Sequence, residues 1–363
     1  MGQKQNSPSL VLGLMSGTSL DGLDMALCEF AEKGRDIQHR ILQAQTVQYD
    51  HHWKKTLELA SGLKADAYFA LHAEYGRFMA SCVKDFIHKI KVKPQLLASH
   101  GHTVFHRPEL GYSTQLGCGA TLAAQTGINT VCDFRSLDVA LGGQGAPLVP
   151  IGDKLLFPQH EACLNLGGIV NISYSHTSGE RLAFDICPGN MLLNHLAQKA
   201  GQAYDGEGSM ARSGQVNEEL LVKLNQNPYF SRTGARSLGR EWFEAEVLPV
   251  FDKSRISMED KMCTASEHIA EKIAETVNGA GITKVLLSGG GVYNLFLLER
   301  LRQKSLAVFE VPDDTVIQFK EALIFALLGY LRAAEKSNTL KSVTGATRDA
   351  ISGALYLGES EVR

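Results

Sequence analysis

No stretch of this 363-residue chain is apolar for the ~20 residues that a membrane helix needs; the longest such run is Ala322–Tyr330. No Cys-x-x-Cys pair occurs among the seven cysteines, at 28, 82, 118, 132, 163, 187 and 263. An odd, scattered set argues against a disulfide framework and against a zinc site, and fits the reduced thiols of the cytoplasm. There is no excess of one charge: 36 basic residues face 39 acidic ones, for a net charge of −3. Nothing therefore favours nucleic acid or an anionic membrane as a partner. The opening residues MGQKQNSPSL contain no apolar signal core, and Asn6 stands where a myristoylation motif needs Ser or Thr. No GxxxxGK[ST] occurs, which excludes a P-loop, and no long linker, charge run or low-complexity tract interrupts the chain.

What the chain does have is glycine in three telling places. Ser16-Gly17-Thr18-Ser19 follows the apolar run Val11–Leu14, Gly167-Gly168 follows Ala162–Leu166, and Gly289-Gly290-Gly291 follows Lys284–Leu287. A buried strand running into a glycine turn brings backbone N–H groups close to an anion, because no Cβ blocks the approach. Three such turns suggest one nucleotide held from two sides. With 44% apolar and 21% charged residues, the composition is that of an ordinary globular protein. The length predicts two domains, each able to bury a core.

The first stretch reads as a meander of Val11–Leu14, Leu23–Phe30 and Ile41–Val47, with a polar turn at Ala31–Asp36. Helices are expected near Trp53–Ala60 and Ala67–Ile90. Leu96–Ser99 reads as a short strand delivering the loop His100-Gly101-His102. A helix Thr121–Thr126 stopped by Gly127 and a strand Asn129–Asp133 follow. Gly142-Gly143-Gln144-Gly145-Ala146-Pro147 is a turn-rich candidate boundary. The opening layout then repeats: Ala162–Leu166, the Gly167-Gly168 turn, and Ile169–Tyr174. Each copy has a small acid or amide after its turn, Asp21 and Asp24 in one and Asn171 in the other. We read this as a duplicated hairpin. Thr264-Ala265-Ser266-Glu267 matches a capping box ahead of a helical face of Ile269, Ile273 and Val277, with Gly279 as its stop. Lys320–Arg332 is a second strongly apolar helix.

Each motif has a plain reading beside the chemical one. Gly17-Thr18-Ser19-Leu20-Asp21-Gly22-Leu23-Asp24 suits phosphate oxygens and a Mg²⁺–water shell, or is simply a tight hairpin. Gly289-Gly290-Gly291 could open a dinucleotide fold with Glu310 on a ribose, but the third glycine of GxGxxG is missing. His100, His102 and His106 are spaced HxHx₃H without a convincing partner cluster for zinc, which favours a sugar- or phosphate-facing loop. Asp185 ends the strand Arg181–Asp185, ahead of a helix whose first turn Pro188 would suit. It serves as a general base or caps that helix. Glu321, at a helix start, is a dipole partner unless a substrate says otherwise.

Taken together, several long motifs resemble the anhydro-N-acetylmuramic acid kinase family. They are Leu14-Met15-Ser16-Gly17-Thr18-Ser19-Leu20-Asp21-Gly22-Leu23-Asp24, Ser99-His100-Gly101-His102-Thr103-Val104-Phe105-His106-Arg107-Pro108 and Asp133-Phe134-Arg135-Ser136. Gly142–Pro150, Leu164-Asn165-Leu166-Gly167-Gly168-Ile169, Gly289–Asn294 and Val343-Thr344-Gly345-Ala346 continue the match in order along essentially the whole chain. The resemblance implies an α/β, two-lobed, actin-like ATPase fold, with duplicated domains of ribonuclease H-like core and a central cleft. We expect one lobe at residues 1–130 with 335–363 and the other at 131–334. It also implies ATP and Mg²⁺ as cofactors, a small anhydro-amino-sugar as substrate, and a cytoplasmic homodimer engaged in peptidoglycan recycling. By resemblance Gly17–Asp24 and Gly167-Gly168 are phosphate hairpins and Gly289–Gly291 is the adenosine wall. Asp185 is the catalytic carboxylate, and His102, Arg135 and Glu321 lie near the sugar.

The implied reaction opens the 1,6-anhydro bridge with water and phosphorylates O6. Departures from the family pattern bear on the substrate. Ile186-Cys187 stands where Thr-Gly is common, Gly117-Cys118-Gly119 where Gly-Asp-Gly is common, and Ser237-Leu238-Gly239-Arg240-Glu241 where Ser-Thr-Gly-Arg-Glu is often found. An ordinary sugar hydroxyl kinase and a catalytically idle nucleotide sensor are the alternative readings.

Overall fold

Buried Val11, Leu12 and Leu14 make β1 (Ser9–Ser16) a core strand from its third residue on. It pairs antiparallel with β2 (Gly22–Lys33), which pairs antiparallel with β3 (Asp36–Gln48). The computed structural model describes residues 8–17, 19–34, 36–232, 234 and 236–359; Thr18, named above, lies outside them. β4 (Leu96–Arg107) lies parallel to β1, and β5 (Tyr112–Leu116) folds back on its far half. β6 (Asn129–Cys132) runs parallel to β4, and the short strand Ala354–Tyr356 closes that edge.

A second sheet repeats the plan. β7 (Ala162–Leu166), β8 (Ile169–Ser175) and β9 (Arg181–Pro188) form an antiparallel meander. β10 (Lys284–Ser288) and β11 (Val308–Glu310) add in parallel on the β7 side. The two orders, β3-β2-β1-β4-β6 and β9-β8-β7-β10-β11, are the same 3-2-1-4-5 arrangement. That is the ribonuclease H-like core expected above, present twice, and the duplicated hairpin is its β1–β2 and β7–β8 portion.

Each sheet is covered by a long helix whose apolar residues recur every turn. Leu71, Tyr75, Met79, Val83 and Phe86 of helix Ala65–Ile90 bury against Leu12, Leu14, Met25 and Leu97. Ile269, Ile273 and Val277 of helix Met258–Gly279 bury against Leu164, Ile172 and Leu287. A third helix, Asp314–Ala333, approaches β1 at backbone distance. A Cβ on Gly13 would lie 1.9 Å from the Ala322 carbonyl oxygen, so only glycine fits there.

The chain divides into two compact units, residues 1–156 with 319–363, and residues 157–318. The first boundary falls well beyond 130, because β6 completes the first sheet and Gly152 packs directly on Ile324. The second lies at 318/319 rather than 334/335, because the rest of that helix covers β1. The turn-rich Gly142–Pro147 segment is therefore internal to the first unit. Four local expectations also shift. Glu321 lies inside helix Asp314–Ala333, two turns from its start, not at a helix N-terminus. His100–His102 sit within β4, not in a loop. Pro188 ends β9 and Gly189 is the N-cap of helix Asn190–Lys199. Thr264–Glu267 lies inside a helix already begun at Ser257, whose side chain accepts from the Asp260 N–H.

Candidate active site

In the first unit the β1–β2 hairpin turns over Gly17–Leu20, closed by the Leu20 N–H on the Gly17 carbonyl (3.4 Å). Leu20 adopts φ 58°, a left-handed backbone that costs a branched side chain energy. Ser19 and Asp21 are exposed, whereas Leu23 is wholly buried in the core. Gly22 packs on β3, where a Cβ would meet the Val47 carbonyl at 2.5 Å. Of the expected phosphate hairpin, then, Gly17, Ser19, Leu20 and Asp21 form the open tip and Gly22 and Leu23 hold it in place. Asp24 sits one strand position further. Burial raises its carboxyl, a 2.6 Å bond from Thr46 Oγ1 opposes the rise, and the Asp21 charge adds to it.

The histidines are separated by a bulge. β1 advances two residues from Leu14 to Ser16 while β4 advances three from Ser99 to His102. Gly101 takes up the extra residue at φ 73°. His100 and His102 thus reach different partners. Arg135 donates to His100 Nε2 through Nη2 (2.8 Å) and Nε (3.3 Å), so the His100 proton resides on Nδ1 and is donated to the Gly101 carbonyl (2.8 Å). Burial, then the Arg135 charge, pushes the His100 pKa down to about 3. His102 Nδ1 instead lies 3.1 Å from Ser16 Oγ, and His106 Nδ1 lies 3.1 Å from Ser113 Oγ. No cluster of three His, Cys, Asp or Glu suited to a metal occurs among the described residues.

Arg135 is also anchored by its Nη1 on the Gly145 carbonyl at 2.7 Å. Burial brings its pKa down to about 10, with Glu321 and Asp138 opposing. Glu321 presents an accessible carboxylate whose pKa is raised by the surrounding protein and by Asp24, against the pull of Lys320 and Arg135. Asp24, Arg135 and Glu321 therefore share one electrostatic environment. Next in sequence to Glu321, Lys320 makes a buried ion pair with Asp153 (2.7 Å). Asp138, fully buried, accepts from the Gly145 N–H (2.8 Å) and from Thr344 Oγ1 (2.7 Å). It ties the Gly142–Pro147 and Val343–Ala346 motifs together across two hundred residues of chain.

In the second unit three glycine segments converge. The carbonyls of Gly167 and Gly168 accept from the N–H groups of Asn190 (2.9 Å) and Gly189 (2.8 Å). In a trans peptide the N–H points opposite to the C=O, so the Gly168 N–H faces away from the helix start. It donates to no group among the described residues, which leaves it for an anion. Gly289, at φ 81°, passes so close to β7 that a Cβ would stand 2.3 Å from Asn165 Oδ1. Gly291 packs on Leu166 in the same way, at 2.7 Å, and Gly290 lies beside Asn190. The dinucleotide alternative loses its acid here: Glu310 is paired with Lys284 and His160, each at 3.1 Å.

Asp185 lies on β9 opposite Asn171, beside a bulge at Ile186. It does not cap helix Asn190–Lys199, since Gly189 holds that position. Its Oδ2 accepts from the Leu238 N–H (2.8 Å) and from Ser237 Oγ (3.2 Å); among the described residues Oδ1 accepts nothing. Burial raises its pKa, and the two Oδ2 bonds hold it back. Tyr229 OH (2.6 Å) and Arg236 Nε (3.2 Å) fix its carbonyl. A partly buried carboxylate anchored by one oxygen and free at the other is equipped to take a proton. Ile186 and Cys187 both turn into the core, so neither strips the open side of Asp185 of a polar group.

Sequence reasoning did not single out Ser237, Leu238, Asn190 or Asp138, which hold these segments in place. Only the Ser-x-Gly-Arg-Glu run at 237–241 carried a signal. The comparisons with known proteins cover nearly the whole chain. A family model described as anhydro-N-acetylmuramic acid kinase matches residues 9–358. The anhydro-N-acetylmuramic acid kinase of Synechococcus elongatus is 36% identical over 374 aligned positions, which cover 95% of this chain and 99% of that protein. That of Gloeobacter violaceus is 37% identical over 366, covering 94% and 97%, and that of Legionella pneumophila 34% over 369, covering 96% and 98%. A family model matched over residues 9–358 and relatives 34–37% identical along nearly their whole length show that this chain belongs to the anhydro-N-acetylmuramic acid kinase family.

Proposed function

We propose that this protein is an ATP-dependent kinase that opens the 1,6-anhydro bridge of anhydro-N-acetylmuramic acid with water and phosphorylates O6. The products are N-acetylmuramic acid 6-phosphate and ADP. The names of its relatives support the substrate, and the free Oδ1 of Asp185 carries the chemistry. In this reading Asp185 Oδ1 takes a proton from water as the water oxygen bonds to C1. The C1–O6 bond breaks, and its electron pair leaves with O6. O6 then bonds to the γ-phosphorus while the bond to the ADP oxygen breaks. One proton is released to solvent. Coupling the two displacements spares a poor alkoxide leaving group from accumulating charge.

In the first unit the turn at Gly17 offers backbone N–H groups suited to phosphate, and in the second the Gly168 N–H with the Gly289–Gly291 wall is suited to a nucleotide. Burial first, and the Asp21 charge after it, raise the Asp24 pKa; the carboxylate oxygens of Asp21 and Asp24 are of the kind that suits the water shell of Mg²⁺. When bound, the ion would supply charge neutralisation on the triphosphate. Arg135 and Glu321 would orient the sugar. The location expected is the cytoplasm and the assembly a homodimer; no helix among the described residues is long and apolar enough to cross a membrane. The idle-sensor alternative loses its ground, because Ile186 and Cys187 are core residues.

Turnover in H₂¹⁸O with the anhydro sugar, ATP and Mg²⁺ tests the reading. Mass spectrometry should find one ¹⁸O in the phosphorylated sugar and none transferred to ADP. A phosphorylated product without label would mean plain hydroxyl transfer, and no sugar-dependent ADP would mean no kinase.

A further inference from the structure

A line of buried hydroxyls runs from a helix to the phosphate hairpin of the first unit, and nothing in the reaction above uses it. Tyr75, in helix Ala65–Ile90, is wholly buried and lies 2.5 Å from the hydroxyl of Tyr49. Tyr49 OH donates to Ser16 Oγ at 2.7 Å, and Ser16 Oγ lies 3.1 Å from His102 Nδ1. Each hydroxyl has one proton to give. Since Tyr49 gives its proton to Ser16, Tyr75 gives its own to Tyr49, and with the Ser16 proton directed at His102 Nδ1 the line runs one way. That ring nitrogen is then an acceptor, and the histidine proton resides on Nε2.

The line is rigid. Tyr49, Tyr75, Phe78 and Trp53 pack ring against ring, and the Tyr49 N–H holds the Asp21 carbonyl at the hairpin base (3.2 Å). His102 is otherwise buried, yet its Nε2 is neither hydrogen-bonded among the described residues nor sealed from solvent. The Gly101 bulge separates it from His100, whose proton sits on the opposite nitrogen. Two neighbouring histidines are thereby held in opposite tautomers, one to buttress Arg135 and one with its N–H facing outward.

We propose that the Tyr75–Tyr49–Ser16 hydroxyl chain locks His102 as an Nε2–H donor to an oxygen of the acceptor sugar, with Tyr49 and Ser16 acting as positioning residues. The proposal rests on the sugar-kinase reading for its substrate, but its structural half can be read without any substrate. Burial keeps the ring neutral, in agreement with its lowered pKa. A chain of hydroxyls pointing one way polarises along its length, which strengthens the terminal donor.

Long-range ¹H–¹⁵N correlation of histidine-labelled, ligand-free protein should show His102 with an unprotonated Nδ1 and a protonated Nε2. Tyr49→Phe and Ser16→Ala, each checked for an unchanged unfolding midpoint, should give averaged nitrogen signals at His102. Each should lower kcat/KM for the sugar about tenfold, the worth of one hydrogen bond, and leave KM for ATP unchanged. The double variant should lose no more than either single one. His102 protonated on Nδ1 in the wild-type protein would overturn the proposal. So would wild-type kcat/KM for the sugar in both single variants, or a change confined to KM for ATP. Loss of ¹⁸O incorporation alone would instead count against the hydrolytic reaction.

Discussion

At the scale of single residues, the site depends on where protons can and cannot go. Asp185 has one oxygen spent on Leu238 and Ser237 and one unspent, inside surroundings that penalise its charge. A carboxyl raised above its unfolded value stabilises the fold below the unfolded pKa and loses that contribution as pH climbs through the folded pKa. At neutral pH the ionised Asp185 is therefore a cost to folding. Asp185→Asn keeps an acceptor for Leu238 and Ser237 and removes that cost. We expect it to lower kcat/KM about 10²–10⁴-fold while calorimetry at pH 7 shows an unchanged or higher unfolding temperature. A lower temperature would mean that the carboxylate holds the loop together rather than serving the reaction. The wild-type enzyme should lose kcat/KM on the acid side with one ionisation above the ordinary aspartate value of 3.8. Asp185 stood out in the sequence as an acid expected at the carboxyl end of its strand, where open α/β sheets present chemistry; β9 in fact runs three residues further, to Pro188. Its anchors were not: Ser237 and Leu238 are fifty residues downstream, and no local pattern links a loop to a strand across that distance. Glu267 misled for a related reason. Thr264-x-x-Glu267 has capping-box spacing, but Glu267 is committed to Arg300 and Lys304, and the helix begins earlier at Ser257.

At the scale of elements, strand-to-turn junctions and the contacts that pin them do most of the positioning. Short apolar runs ended by glycine turns made the two meanders readable, since hydrophobic runs and turn chemistry are local properties. The bulges were not readable. Gly101 looked like the tip of a loop, yet its positive φ lets β4 absorb one residue and continue to Arg107. Ile186 plays the corresponding part on β9. Both bulges adjoin candidate site residues, and both re-aim side chains that a regular strand would have sent elsewhere. The contact between β1 and helix Asp314–Ala333 is a firmer constraint still. Gly13→Ala would drive a methyl group into the Ala322 backbone, and the helix would have to move away from the strand that leads to the β1–β2 hairpin proposed to bind phosphate. We expect a loss of about 1–3 kcal/mol in denaturant midpoints and a raised KM for ATP, because overpacking forces backbone shifts. Unchanged stability in that variant would show that the helix can slide.

At the scale of the whole molecule, one core plan is used twice in two compact units. The repetition was legible as two hairpins with a small acid or amide after each turn; the boundaries were not. A turn-rich run such as Gly142–Pro147 looks like a linker until Asp138 is seen gripping both it and Thr344. Residues 157–318 form a continuous stretch with its own five-stranded sheet and core. Expressed alone, that stretch should unfold cooperatively and give dispersed amide spectra. The complementary N-terminal piece, ending at 156, should not, because the helix over Gly13 would be missing. A folded 1–156 fragment, or a molten 157–318 fragment, would refute this division.

That division has a consequence for how the molecule is made. The strands of the first unit leave the ribosome early, yet the helix that presses on Gly13 is translated only after residue 318. During synthesis the nascent sheet must wait with the face that carries Gly13 uncovered, while the whole inserted unit is spun out and free to fold first. Completion of the polypeptide, rather than emergence of its first half, is then the moment at which the β1–β2 hairpin acquires its final support.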